Sequence, residues 1–200
     1  MCNLLYDTLT ALDSARADAY VLPTAKYKFG VASRRPNRGE QRYGAEVFAR
    51  IRDFLGSVHE INVVGLSEEL QLLASIDGID AGEAILFSAT AEFDRYILAT
   101  GDKTSLRALA LTPARFSIAQ RIRGHVICLE LIVKRLIQHF GFPYVKDRVV
   151  PARACDTALS VAFGSGWDAT EPNVLAALDS YINEMRSLPI DLLTVGLSPE

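Results

Sequence analysis

Three carboxylates, Asp80, Glu83 and Asp102, stand where residue type and spacing could do chemistry. Asp80-Ala-Gly-Glu83 puts two acids at the start of a helix, and Asp102 follows the apolar run Tyr96-Ile-Leu-Ala-Thr100 by two residues. In open parallel sheets, functional groups gather where strands end and helices begin. Acids clustered on such a rim bind Mg²⁺ or Mn²⁺ through hard oxygens. A metal held there activates water and stabilises an in-line phosphoryl displacement. The same residues fit a plainer reading. Asp80-x-x-Glu83 is a capping-box pattern, and Asp102 can cap the helix that follows it or lie in a polar turn. Spacing leaves both readings open.

The elements that must position these acids follow from periodicity and breakers. Ala81 to Phe93 reads as a small-residue helix, Arg95 to Thr100 as a buried strand, Gly101-Asp102 as a turn, and Ser105 to Leu111 as the next helix before Pro113. Upstream, AYVL at 19–22 reads as a strand stopped by Pro23, with a helix from Thr24 towards Gly30. Ser33 to Arg42 is a polar loop broken by Pro36 and Gly39. Tyr43 to Leu55 is amphipathic, with Val47, Ile51, Phe54 and Leu55 on one stripe. Ile61 to Val64 is a short β-branched strand, and Ser67 caps a helix from Glu68 to Ile76. His125 to Leu129 is a further strand, followed by a helix from Glu130 to Phe140 that Gly141 stops. Alternation of this kind implies an α/β layer fold with a mostly parallel sheet. After Pro151 the pattern turns helical, over Cys155 to Phe163 and Glu171 to Ser187. The opening MCNLLYDTLTAL supports either a strand at Leu4-Leu5-Tyr6 that delivers Asp7, or a helix through Leu5, Leu9 and Leu12.

Composition narrows the classes. Twenty-one Lys and Arg against 24 Asp and Glu leave a formal charge of −3, so no global nucleic-acid signature exists. The three cysteines are odd in number and far apart, which fits a reduced interior and neither a disulfide framework nor a zinc site. Met1 is not followed by a charged-then-apolar leader, and no apolar run is long enough to span a bilayer. The expectation is a soluble cytoplasmic protein with no membrane partner. GxSxG, Walker and GxGxxG patterns are absent, against triad hydrolases, nucleotide kinases and dinucleotide enzymes. His125 and Cys128 lie on one apolar run and read as core residues. Trp167, in a glycine-rich loop, reads as packing of the C-terminal helices or as an anchor for a partner.

One local basic series stands out: Lys26, Lys28, Arg34, Arg35, Arg38 and Arg42, with Tyr27 and Tyr43 nearby. Such cations can track a phosphate backbone while tyrosines stack on unpaired bases. A solvated loop beside an acidic surface is the other reading.

Asp80-Ala-Gly-Glu83-Ala84, the helix carrying Ala89-Thr-Ala91, the strand YILAT and the turn Thr100-Gly-Asp102-Lys103 together resemble the PIN-domain nucleases over roughly residues 19 to 110. The resemblance implies a PIN-like three-layer α/β fold with a mostly parallel central sheet over residues 1–140, and a helical C-terminal extension, 141–200, packed on it. It also implies a metal-dependent ribonuclease with Mg or Mn as cofactor. Asp80, Glu83, Asp102 and Asp7 would be the metal ligands, with Asp80, Asp102 and Asp7 catalytic. RNA would be the substrate, an antitoxin or other protein a partner, and a homodimer an allowed assembly. Two departures bear on activity. The stretch between Asp7 and Pro23 is short for the family's first helix. VLPTAKYKF offers Lys26 and Lys28 where the family carries a helical Glu, so another acid such as Glu40 would have to complete the site. The alternatives are a catalytically degenerate module that binds RNA or protein, and an unrelated α/β structural or oligomerisation domain.

Overall fold

The computed structural model describes residues 19–33, 37–62, 67–111 and 116–195. The chain forms two compact units, residues 1–62 and 63–200.

In the first unit, β1 (Tyr20–Val21) runs parallel to β2 (His59–Glu60), with Tyr20 opposite His59 and Val21 opposite Glu60. Pro23, two residues on, cannot donate to a ladder, and the chain turns into α1 (Ala25–Lys28). Next come α2 (Arg38–Tyr43) and α3 (Ala45–Ser57), joined at Gly44, whose φ of 79° suits a residue without Cβ. The α3 stripe buries Ile51 and Leu55, and Glu46 pairs with Arg50 across one turn of its polar face. Gly39 lets α2 meet α3 closely: a Cβ there would lie 1.9 Å from the Phe48 ring.

The second unit begins at α4 (Glu68–Ala74), capped by the Ser67 hydroxyl on the Leu70 amide at 3.1 Å. Next is α5 (Ala81–Ala89), extended by a 3₁₀ turn over Thr90–Glu92. Then β3 (Leu98–Ala99), α6 (Lys103–Leu111), α7 (Phe116–Ile122), β4 (Val126–Ile127), α8 (Leu129–Phe140) and α9 (Phe142–Val149) follow. Finally α10 (Thr157–Ala162) and α11 (Glu171–Arg186) close the unit. β3 pairs parallel with β4, Leu98 opposite Val126, and a parallel bridge joins Leu193 to Val126 on returning from α11. The core is helical. Phe87 of α5, Leu106 and Leu109 of α6, Ile122 of α7, Val133 and Leu136 of α8, Leu159 of α10, and Leu178 and Met185 of α11 are buried. Phe142 lies nearly parallel to Phe163, with ring centroids 6.4 Å apart. Burying a large apolar side chain stabilises by roughly 1.5–3 kcal/mol, against about 1 kcal/mol net for a backbone hydrogen bond. Two-residue ladders therefore contribute little beside these helices.

This overturns the three-layer α/β expectation. Among the described residues there is no central sheet, only two separate two-stranded parallel pairs in a mostly helical chain. The apolar runs are where the reading went astray. Of RYILAT only Leu98 and Ala99 enter a ladder, while Tyr96 turns its ring to His125. HVICL is cut short because Cys128 already stands at the N-terminus of α8. Short apolar runs do not distinguish strand from helix or extended coil. The expected strand at Ile61 to Val64 falls instead on His59–Glu60, and Val63 and Val64 lie outside the described residues. Part of the expected loop at 33–42 is α2, and α7 and α9 are helices the pattern did not announce. No helix among the described residues is long and apolar enough to cross a membrane.

Candidate functional site

Asp80 and Asp102 each cap a helix, and Glu83 is linked through Thr100 to the Asp102 amide. Asp80 caps α5: its Oδ1 accepts from the Glu83 amide at 2.8 Å. Asp102 does the same for α6, with Oδ1 accepting from the Thr104 and Ser105 amides at 2.9 and 3.1 Å. The capping reading of both aspartates therefore holds. Glu83 reaches across to the end of β3, where the Thr100 hydroxyl donates to its two oxygens at 3.1 and 3.2 Å. The same Thr100 oxygen accepts from the Asp102 amide at 3.1 Å. Buried Thr100 thus joins the first turn of α5 to the first turn of α6 at the carboxyl end of β3. Asp80 stays exposed at the entrance to α5.

Beside this link lies an ion pair that the sequence did not flag. Lys103, in the first turn of α6, binds buried Glu130, in the first turn of α8, and its Nζ stands 4.6 Å from the centre of the Tyr181 ring. Glu130 also helps burial push the neighbouring Cys128 thiol up to about 11. A carboxylate between Leu129 and Leu131 was the available signal, because charge inside an apolar run must be paired.

The second network missed from sequence centres on Arg121 of α7. Its guanidinium holds Glu69 at 2.5 and 3.2 Å, the Thr90 hydroxyl at 3.0 Å and the Phe87 carbonyl at 3.2 Å. Tyr96 donates to the Arg121 carbonyl at 2.7 Å and stacks on His125, which is half-buried rather than in the core, with its Nδ1 3.1 Å from the Tyr96 carbonyl. This network ties α4, α5 and α7 together and is structural. Trp167 is 58 % exposed.

The basic series belongs to the first unit, whereas the acids belong to the second. Lys26 is committed to Glu60 at 2.8 Å, and Arg42 lies 5.3 Å from the centre of the Tyr43 ring. Lys28, Arg38, Glu40 and Tyr27 are exposed. Arg34, Arg35 and Asp7 lie outside the described residues. Among the described residues, no three His, Cys, Asp or Glu side chains gather closely enough to hold a metal ion by themselves.

No protein-family model, no curated protein and no solved structure matches the chain.

Proposed function

We propose that this protein is a metal-dependent ribonuclease acting in the cytoplasm, with Glu83 and Asp102 as its principal carboxylates and Asp80 beside them. The observation that supports this reading is the hydrogen-bonded link from the Glu83 carboxylate through Thr100 to the backbone amide of Asp102 where β3 ends. Capping alone does not call for it, since Glu83 could serve α5 without turning to the strand.

The residues present suit Mg²⁺ or Mn²⁺. Both are hard cations, and Mg²⁺ commonly takes one or two carboxylates, filling its remaining positions with waters and substrate phosphates. When bound, the ion supplies Lewis acidity and an activated water. The chain does the positioning. Thr100 fixes the direction of the Glu83 carboxylate, and the α6 amides hold Asp102 Oδ1 while Oδ2 makes no hydrogen bond among the described residues.

A second reading, RNA or protein binding without cleavage, is favoured by one finding: no three potential ligands converge among the described residues. Mn²⁺-dependent cleavage of single-stranded RNA that disappears in Asp102→Asn supports the nuclease. Binding without cleavage supports the second reading.

A further inference from the structure

Among the described residues, the Arg135 Nη1 of α8 is the buried side-chain nitrogen with no hydrogen-bond partner. Native proteins rarely leave such an atom unpaired, so each case asks for an explanation. The charge acting on Arg135 is another cation, Arg186 at the end of α11; burial first, and then Arg186, lower its pKa. Neighbouring cations have found acids: Lys134 holds Asp179 at 2.5 Å, and Arg107 binds Glu184. Neither Arg135 nor Arg186 forms an ion pair among the described residues. A guanidinium group without a paired acid can grip an oxyanion through paired N–H bonds.

A second observation lies one helical turn further along α8. His139 stands edge-on to Phe140, with centroids 4.5 Å apart, and Phe140 is 37 % exposed. Phe140 stacks on Tyr144 of α9 at 4.9 Å, and the Arg148 guanidinium carbon lies 3.4 Å from the Tyr144 ring centre. A row of rings thus lies between Arg135 and Arg148 along neighbouring turns of two consecutive helices. That is the composition of a single-strand track, where cations meet phosphates and exposed rings meet unpaired bases.

We propose that Arg186, Arg135, His139, Phe140, Tyr144 and Arg148 form a binding strip for single-stranded RNA, with a phosphate on the two arginines and a base on Phe140. The choice of RNA rests on the nuclease reading above, but the strip does not require cleavage. It relocates the expected strand contact from Lys26–Arg42 to the unit that holds the carboxylates.

Anisotropy of a labelled single-stranded oligoribonucleotide, measured in chelator so that nothing is cut, tests the strip. Arg186→Glu and Phe140→Ala alter exposed side chains, and thermal melts check that each variant folds. Each is expected to weaken binding by about tenfold. The same sequence as a duplex should bind more weakly, because its bases are stacked away. Wild-type affinity in both variants, or no binding by the wild type, overturns the strip. Wild type that binds through these residues yet never cleaves with Mn²⁺ upholds the strip and removes only the nuclease reading.

Discussion

Thr100 Oγ1 donates to the carboxylate of Glu83, 3.1 Å from Oε1 and 3.2 Å from Oε2, joining the end of β3 to the first turn of α5. The hydroxyl is buried, and its oxygen also accepts from the Asp102 amide. One small side chain therefore ties the Glu83 carboxylate to the backbone amide of Asp102, a connection that local capping would not make.

Thr100→Val keeps the shape and removes both hydrogen bonds. Leaving the part-buried Asp102 amide and the Glu83 carboxylate unmatched should cost about 1–3 kcal/mol in urea unfolding. Loss of a partner that orients a ligating carboxylate should lower Mn²⁺-dependent activity by about ten- to a hundredfold. Thr100→Ser should restore most of both. Equal loss in Ser and Val would mean that the methyl group, not the hydroxyl, matters.

The acids themselves were legible in the sequence because capping and metal binding both select Asp and Glu at helix starts. Asp80 and Asp102 sit at those starts in the structure. Helices with a clear stripe, such as α3 and α11, were legible for the same reason: a long period is hard to mistake. The sheet was not. YILAT and HVICL are apolar because they lie among buried helices, and a run of five apolar residues looks the same whether two or five of them form ladders. Arg121 and Glu130 escaped notice because their partners, Glu69 and Lys103, are far away in the chain.

Arg121→Met should be the most damaging change outside the apolar core. It strips Glu69, Thr90 and the Phe87 carbonyl of their common donor. Both charged side chains are about a quarter exposed, so the loss should be roughly 2–3 kcal/mol, below that of a fully buried pair. Chemical denaturation reads it directly, and a loss no larger than that of an exposed pair would show the network to be dispensable.

Gly39→Ala sets helix propensity against sterics. Alanine favours an α-helix by about 1 kcal/mol over glycine. The new Cβ, however, would sit 1.9 Å from the Phe48 ring, and overpacking costs typically about 1–3 kcal/mol. Sterics should win, giving a net loss that Phe48→Leu in the same chain partly recovers.

Cys128 gives a pH prediction. Burial first, then the Glu130 charge, push its thiol up from an ordinary value of 9.0 to about 11. In the unfolded chain the thiol ionises first, so the unfolded state releases its proton as pH passes about 9. Stability contributed by the buried neutral thiol is complete below that pH and is lost as pH rises towards 11, by about 2–3 kcal/mol. Unfolding free energies of wild type and Cys128→Ala should converge over this window. In a Cys2→Ser background at pH 8, iodoacetamide should label exposed Cys155 and spare Cys128. Equal labelling of both would contradict the buried placement.

The most direct measurement of the central claim is cleavage of single-stranded RNA by the purified chain with Mn²⁺, compared across wild type, Glu83→Gln and Asp102→Asn, each checked for folding. The account predicts metal-dependent cleavage by the wild type that chelator abolishes, with both variants reduced to background. Cleavage that survives both substitutions, or a folded wild type that never cleaves, contradicts it.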